Sequence, residues 1–180
     1  MLQGLQDPNK WAEVPADLSY LPKACELAGQ SLRETKGLHF IVSVASQDQL
    51  KEGQSWGVFE WHNEYVRTKE GRSHFFLALS TMSGRLLGLR SCSYKQHKQT
   101  NQHAVFLEDI ERNLRLSASE LPKDTVLPAF SAAVIHYASH LGVDIGCLNV
   151  LPELAEKYEA LGFTKAVSSN GQIVQVYRNH

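Results

Sequence analysis

The segment Leu148–Phe163 places the tightest constraint on the fold of this chain. It starts with a short apolar run, continues through Pro152 into an amphipathic turn that carries Tyr158, and reaches Gly162 just before an aromatic residue. Proline is favoured in the first turn of a helix, where its missing N–H has no intrahelical partner, and glycine is favoured just past the helix end. The segment therefore predicts a strand, a short helix and a second strand in quick succession, which is typical of α/β proteins. Tyr158 is then held on a fixed helix beside a strand end, where binding sites often form.

Length and composition indicate one domain. The chain has 180 residues, of which 43% are hydrophobic, enough for one well-buried core and few for two. We therefore interpret residues 1–180 as a single domain. The net charge is −1, with acidic and basic residues mixed along the chain, which argues against a nucleic-acid or anionic-membrane surface. No segment approaches the ~20 apolar residues of a membrane span, so we expect a soluble, cytoplasmic protein with neither nucleic-acid nor membrane partners.

The cysteines do not predict a cross-linked or metal-bound scaffold. Cys25, Cys92 and Cys147 form an odd set with wide spacing, unlike a disulfide framework or a zinc site. They are expected to be reduced packing residues, and as nucleophiles Cys92 and Cys147 are weak candidates because each lies in an apolar, strand-like run.

The second half of the chain predicts a βαβ unit. A strand is expected over Ala104–Glu111, followed by a helix over Val126–Leu141 that Asp124 or Thr125 can cap and that Gly142 ends. The next strand is expected over Ile145–Leu151. Strands joined by such a crossover are parallel, and the crossover is almost always right-handed.

The other predicted elements complete a mixed sheet of about six or seven strands flanked by helices. Asp17 is a candidate cap for the first helix, and Ser169-Asn170-Gly171 is a strong hairpin signal between the last two strands. Helix is favoured over strand for the aromatic-rich segment, and a hairpin turn is expected at Gly84. The predicted ranges are a helix over Leu18–Glu34, a strand over Leu38–Ala45, a loop over Gln47–Ser55, a helix over Trp56–Val66, strands over His74–Leu79 and Arg85–Tyr94, a connection over Lys95–Gln102, and strands over Phe163–Ser168 and Gln172–Tyr177.

These residues resemble the GNAT superfamily of N-acetyltransferases. The matching parts are the strand Val105–Glu111, the helix end Tyr137–Gly142, the strand Cys147–Pro152 and the segment Tyr158–Phe163. The resemblance covers roughly the C-terminal half, in the family's order, and implies a GNAT-like α/β fold. It also implies that acetyl-CoA lies in a wedge between the two central parallel strands, with its pyrophosphate at the start of the crossover helix. The cofactor-binding residues implied in this way are Leu107, Asp109, Ile110, Lys123, Thr125, Val126, Leu127 and Asn149.

The phosphate-binding part departs from the family pattern. The family places glycines at the start of the crossover helix, but Val126 and Pro128 occupy those positions here, and no glycine lies between Arg112 and Gly142. Valine brings a branched side chain towards the phosphates, and proline removes an N–H donor. Lys123 can compensate as a point charge, although a lysine at a helix start is more often simply solvated.

The resemblance also implies the catalytic candidates. Tyr158 takes the position of the family's tyrosine, which protonates the departing thiolate; the alternative is a tyrosine that packs against the sheet with its hydroxyl bonded. Glu108 or Glu111 is the candidate base, directly or through water, and an exposed carboxylate is the alternative for each. Three residues apart on a strand, these two glutamates should point to opposite faces. The family's strand bulges here, and backbone N–H groups around Glu108 to Ile110 would then polarise the thioester carbonyl.

Two further groups of residues have competing interpretations. His136 and His140 lie four apart on the crossover helix and so share a face, but no third ligand accompanies them, and packing or surface histidines are favoured over a metal site. No metal is therefore predicted. The aromatic side chains before the first hairpin can line an acceptor pocket, but a helix face packed on the sheet is favoured. They are Trp56, Phe59, Trp61 and Tyr65.

Two functions follow from the sequence. The first is an acyl-CoA-dependent N-acetyltransferase that transfers an acetyl group by direct attack of a small-molecule or protein amine, working as a monomer or homodimer. The second is a GNAT-fold binding or regulatory protein that has lost catalysis. Val126 and Pro128 motivate the second function, and the preserved Leu148–Phe163 segment motivates the first.

Overall fold

An eight-stranded sheet forms the centre of the computed structural model, which describes residue 5, residues 7–168 and residues 171–179. The strands are Trp11–Glu13 (β1), Phe40–Val44 (β2), His74–Thr81 (β3), Leu86–His97 (β4), His103–Arg112 (β5), Asp144–Cys147 (β6), Thr164–Val167 (β7) and Ile173–Tyr177 (β8). Their order is β2-β3-β4-β5-β6-β8-β7, and β1 pairs with β4. The short β1 was not predicted and takes the number of strands above the expected six or seven.

Helices cover both faces of this sheet. Among the described residues the α-helices are Leu21–Lys36 (α1), Gln47–Gln54 (α2), Trp61–Thr68 (α3), Val126–Leu141 (α4) and Pro152–Ala160 (α5), and a 3₁₀ helix spans Pro8–Lys10. The largest apolar cluster joins α1, α4 and α5 to one face of the central strands. A smaller cluster joins α2 and α3 to the other face. None of the helices in the described ranges is long and apolar enough to cross a membrane.

The predicted crossover is confirmed. Helix α4 has the predicted bounds, and Gly142 ends it with a left-handed φ of 70°. Strands β5 and β6, on either side of α4, run parallel and pair from Ala104 with Asp144 to Leu107 with Cys147. All other paired strands are antiparallel, including the predicted hairpin β3–β4 and the final pair β7–β8. Ser169 and Asn170 of the predicted final turn lie outside the described residues.

Two local predictions were wrong. Residues Gln47–Gln54, predicted as a loop, form α2, because Ser46 and Gln49 form a capping box in which each side chain accepts a hydrogen bond from the other's backbone N–H. The predicted cap Asp17 does not start α1, which begins at Leu21; the Asp17 carboxylate instead accepts the Ser19 N–H at 3.0 Å in a preceding turn.

Candidate functional site

Strand β5 carries a bulge beside the point where it leaves β6. The regular pairs that flank the bulge are Cys92 with Leu107 and Arg90 with Ile110. Ser91 therefore lies opposite two residues, Glu108 and Asp109, which adds one residue to β5 and resets its side-chain alternation. The Asp109 N–H donates to the Ser91 hydroxyl at 3.0 Å. The expected bulge is thus present.

The bulge places both candidate bases on the same face of the sheet, and the prediction of opposite faces was wrong. Glu111 pairs with Leu89 in the ladder, and Glu108 accepts a hydrogen bond from Ser93 at 2.6 Å. Leu89 and Ser93 are four residues apart on β4 and so share a face. This face is the one covered by α2 and α3.

The two glutamates already have partners. Glu108 lies 3.7 Å from the Lys95 ammonium, in addition to its bond from Ser93. Glu111 is only 8% exposed and accepts a bond from Trp61 Nε1 at 2.7 Å. Burial raises the pKa of Glu111 above its usual value, and the bond from Trp61 acts in the opposite direction.

Asp109 lines a small pocket of about 60 Å³ on the same face. The walls of this acidic pocket are Phe59, Glu60, Trp61, Glu64, Ser91 and Asp109. Removal of water by neighbouring protein atoms raises the pKa of the Asp109 carboxyl, the nearby charges of Glu108 and Glu64 raise it further, and the charge of Arg90 acts in the opposite direction. Within the described residues, no hydrogen bond to the Asp109 carboxylate and no ion pair with it is found. Asp109 was predicted as a cofactor-binding residue, but the structure places it on the acidic pocket.

Some residues of the aromatic set line a pocket, and the set also packs on the sheet. Phe59 and Trp61 line the acidic pocket. Trp56, Phe59 and Tyr65 also pack against a core cluster that contains Trp61 and Phe76. The aromatic side chains therefore anchor α3 to the sheet and shape one pocket.

A larger cleft of about 380 Å³ lies on the opposite face, at the start of α4. Its residues come from the end of β5, the segment before α4, the first turn of α4, and α5. They are Ile110, Arg112, Pro122, Lys123, Asp124, Thr125, Val126, Leu127, Leu154 and Lys157. The cleft brings together five of the predicted cofactor-binding residues: Ile110, Lys123, Thr125, Val126 and Leu127.

The other three predicted cofactor-binding residues do not line this cleft. Leu107 is buried in the sheet between β4 and β6. Asp109 faces the acidic pocket. Asn149 is exposed, beyond the end of β6, with a left-handed φ of 54°.

The cleft is predominantly basic. Arg112, Lys123 and Lys157 contribute positive charge, and Asp124 is the acidic residue among them. The Lys157 ammonium lies 3.0 Å from the Asp124 carboxylate and, through this bond, lowers the pKa of that carboxyl. Lys36 donates to the Asp124 carbonyl. Arg112 Nε is buried without a hydrogen-bond partner in the described part of the chain, so the cleft has a donor available for an anion.

The start of α4 offers few backbone donors to this cleft. Pro128 lacks an N–H, and the Ala129 N–H already donates to the Thr125 carbonyl at 3.1 Å. The helical N–H groups that are left in the first turn are those of Val126 and Leu127. The Val126 side chain packs towards Gly88 on β4, where an added Cβ would come within 3.0 Å of a Val126 methyl group.

Tyr158 is buried on α5, the helix that contributes Leu154 and Lys157 to the cleft, and it is bonded to an arginine for which no role was predicted. Tyr158 is 2% exposed, and its oxygen accepts bonds from Arg90 Nη1 at 2.9 Å and from the Cys147 thiol at 3.7 Å. Burial raises its pKa to about 12, while the Arg90 charge acts in the opposite direction. Arg90 lies opposite Ile110, a residue of the cleft. A single arginine in the apolar run Leu86–Cys92 was the signal that could have identified it.

The described residues contain no group of three or more histidine, cysteine, aspartate or glutamate side chains that could hold a metal ion. His140, one of the two histidines on α4, stacks on Tyr20 with ring centroids 3.7 Å apart. All three cysteines are free and buried.

Comparisons with known proteins support the fold. No family model and no curated protein matches the chain, but many solved structures do. One is the AtaT mutant toxin bound to the C-terminus of the antitoxin AtaR and acetyl-CoA, at 13% identity and TM-score 0.53, covering 77% of this chain and 92% of that chain. Another is glucosamine-6-phosphate N-acetyltransferase from Arabidopsis thaliana, at 14% identity and TM-score 0.50. The match covers 71% of this chain and 92% of that chain. A third, from Desulfovibrio desulfuricans and assigned to the GNAT family, has 16% identity and TM-score 0.52. The match covers 77% of this chain and 97% of that chain.

These similarities confirm the predicted resemblance at the level of the fold. The chain has the mixed α/β fold of the GNAT acetyltransferases.

Proposed function

We propose that this protein is an acyl-CoA-dependent N-acyltransferase that transfers an acetyl group from acetyl-CoA to an amine by direct attack. The observation that carries the proposal is the basic cleft at the start of α4, which is lined by Leu154 and Lys157 of α5, the helix that also carries the buried Tyr158. Strands β5 and β6 stop pairing after Leu107 and Cys147, and β5 continues to Arg112 paired with β4 on its other side. The cleft lies on one face of this opening and the acidic pocket on the other. The two sides of the sheet can therefore hold the donor and the acceptor separately.

The residues present fit a phosphate-bearing donor through charge. Arg112, Lys123 and Lys157 lie in one cleft, and Arg112 has a buried donor without a partner. Arginine and lysine bind phosphate oxygens through charge-assisted hydrogen bonds. These side chains would hold the phosphates where backbone N–H groups are few, and the thioester of bound acetyl-CoA supplies the acyl group.

Tyr158 is the proposed acid. Its oxygen accepts a bond from Arg90, and apart from the weakly accepting Cys147 sulfur at 3.7 Å no acceptor for its own O–H proton is found among the described residues. That proton is available to the departing sulfur.

Asp109 is the proposed base on the acceptor side. Glu108 and Glu111, the bases predicted from the sequence, are bonded to Ser93 and Trp61. Asp109 lines the acidic pocket without such a bond, and its raised pKa suits a group that must take a proton.

The acidic pocket favours a cationic amine as the acceptor. Its carboxylates come from Glu60, Glu64 and Asp109, and two aromatic rings complete its walls. Carboxylates and aromatic faces both attract ammonium groups. A volume of about 60 Å³ suits the end of an extended amine, such as a polyamine or a lysine side chain.

The competing function is a GNAT-fold binding or regulatory protein without catalysis. Pro128 favours it, because this proline removes a donor from the first turn of α4. The two functions differ in whether acetyl-CoA is bound and consumed.

Calorimetric titration with acetyl-CoA tests the proposal directly. We expect saturable binding that weakens as salt rises, because the cleft acts through charge. Lys123→Gln should weaken binding, whereas Lys51→Gln, a matched change at an exposed lysine on α2, should not. Release of free thiol in the presence of a panel of polyamines and lysine peptides then measures turnover.

Two results would reject the enzyme. If millimolar acetyl-CoA gives no heat and no thermal shift, the donor site does not exist as proposed; occupancy at a hundred times Kd should stabilise the fold by about 2.7 kcal/mol. If acetyl-CoA binds and no amine in the panel accelerates thiol release, the binding or regulatory function is favoured.

A further inference from the structure

Arg90 is a buried cation without a carboxylate partner among the described residues. It is 1% exposed and takes part in no ion pair within the described ranges. Its Nη1 donates to Tyr158, its Nη2 has only the Cys147 sulfur at 4.0 Å, and its Nε has no hydrogen-bond partner. A buried guanidinium carries a large desolvation cost, and an apolar side chain would fill the same space more cheaply. Packing alone therefore does not account for an arginine here.

The described side chains that Arg90 contacts directly include no carboxylate. Its ladder partner on β5 is Ile110, its neighbour on α5 is Tyr158, and the sulfur beside it on β6 belongs to Cys147. Cys92, two residues further along β4, is also affected by its charge. Arg90 donates to the Tyr158 hydroxyl, and its charge also acts on the Asp109 carboxylate, although no ion pair between them is found among the described residues.

This geometry has a chemical consequence for Tyr158. Arg90 donates to the phenol oxygen, which fixes the oxygen and leaves the O–H proton directed elsewhere. When a phenol gives up its proton, the phenolate formed is stabilised by an adjacent cation. The stabilisation is strong because both groups are buried, where charges interact more strongly than in water.

We propose that Arg90 is the positioning residue of the acyl transfer: it orients the Tyr158 hydroxyl and stabilises the phenolate that forms as Tyr158 protonates the departing sulfur. This inference rests on the proposed function. The amine nitrogen forms a bond to the thioester carbon, and the C–S bond breaks with its electron pair on sulfur. The Tyr158 proton moves to that sulfur and the amine proton moves to Asp109; an acceptor that enters as an ammonium ion has first lost one proton to solvent. Asp109 then returns its proton to solvent, and the phenolate recovers a proton from solvent. The products are an amide and a free thiol.

The test compares Arg90→Met with Arg90→Lys and Tyr158→Phe. Arg90→Met should lower kcat by about 100-fold, as expected for loss of general acid catalysis, and leave the Kd for acetyl-CoA within about twofold. Arg90→Lys keeps a positive charge and should lose only about tenfold. The double variant Arg90→Met/Tyr158→Phe should be no slower than Tyr158→Phe alone, because Arg90 acts through Tyr158.

The Tm of Arg90→Met separates the proposed role from a merely structural one. If Arg90 only stabilised the fold, the substitution would lower Tm. Removing an uncompensated buried charge should leave Tm unchanged or raise it by up to about 4 °C. Arg90→Met is therefore expected to be as stable as the wild type and much slower.

Several results would overturn the inference. If Arg90→Met fails to fold, Arg90→Lys decides the question: a full loss of activity in Arg90→Lys with an unchanged Tm would show that a positive charge beside Tyr158 is not sufficient and would reject the inference. A wild-type rate in Arg90→Met, or additive losses in the double variant, would also reject it. A loss seen only with succinyl-CoA, and not with acetyl-CoA, would assign Arg90 to a carboxylate on the acyl group instead. If the wild type itself does not bind acetyl-CoA, the proposed function fails first and the role of Arg90 fails with it.

Discussion

The hydrogen bond between Trp61 and Glu111 should contribute strongly to stability, and Trp61→Phe tests it. Trp61 is 2% exposed, Glu111 is 8% exposed, and the Nε1–Oε2 distance is 2.7 Å. Loss of a bond to a charged group costs about 1.5–3 kcal/mol. The smaller phenyl ring adds about 1–2 kcal/mol of lost burial. We expect Trp61→Phe to lower the free energy of unfolding by about 2.5–5 kcal/mol at pH 7, measured by urea unfolding followed with far-UV circular dichroism.

The pH dependence of this loss follows from the raised pKa of Glu111. Burial disfavours its carboxylate, so the folded protein binds this proton at a higher pH than the unfolded chain does, and Glu111 adds stability as pH falls through its folded pKa. In Trp61→Phe the bond that favours the carboxylate is absent, and the folded pKa should rise further. The destabilisation should therefore be largest at pH 7 and smaller at pH 5.

Glu111→Gln is the matched control. Glutamine keeps an acceptor for Trp61 and removes the buried charge, so its own cost should be under about 1 kcal/mol. In the double variant, the coupling energy between the two positions measures the part of the hydrogen bond that depends on the charge of Glu111 and separates it from the change in ring size. A loss below about 1 kcal/mol for Trp61→Phe, or a loss that is the same at pH 5 and pH 7, would refute the reasoning.

Three further outcomes are expected. Gly53→Ala should lower the free energy of unfolding by about 1–3 kcal/mol in urea titrations, because its Cβ would lie 2.2 Å from a Leu89 methyl carbon. Asp109→Asn should lower kcat by about 100-fold in the thiol-release assay. The wild-type kcat/KM should fall as pH drops through the raised pKa of Asp109, because Asp109 is then protonated and cannot act as the base. Asp124→Asn should tighten acetyl-CoA binding in calorimetry by about three- to tenfold at low salt, because it frees Lys157 and removes a negative charge from the cleft.

Each of these has a clear contrary result. A Gly53→Ala variant as stable as the wild type would mean that α2 can shift away from the sheet without cost. An Asp109→Asn enzyme with full activity would return the role of base to Glu108 or Glu111. Unchanged or weaker binding in Asp124→Asn would show that the phosphates do not approach this carboxylate.

The elements with strong local signals were predictable from the sequence. Helix α4 has its predicted bounds because Gly142 stops it and an apolar face runs along it. Pro152 and Gly162 likewise mark the short helix with Tyr158, and the parallel pair β5–β6 follows from the crossover between the two strands. Helix α2 also had a local signal, the capping box of Ser46 and Gln49, which its polar composition obscured.

The candidate site depended on contacts between residues far apart in the chain. The bulge at Glu108 and Asp109 is a property of how β5 pairs with β4, and no residue in β5 alone reports it. The bulge decides which carboxylates share a pocket, because one added residue reverses the side-chain alternation.

The sequence by itself determined the order of the elements and the place of Tyr158 on a short helix after a strand, because caps, turns and hydrophobic periodicity act over a few residues. The tertiary structure decided what Tyr158 contacts. Arg90 and Tyr158 are separated by 68 positions, and they meet only because α5 packs against the same face of the sheet as the core cluster on α1 and α4. The desolvation cost of the Arg90 charge and the strength of its hydrogen bond to Tyr158 both depend on the exclusion of water. Water is excluded only when segments that are distant in the sequence pack against each other.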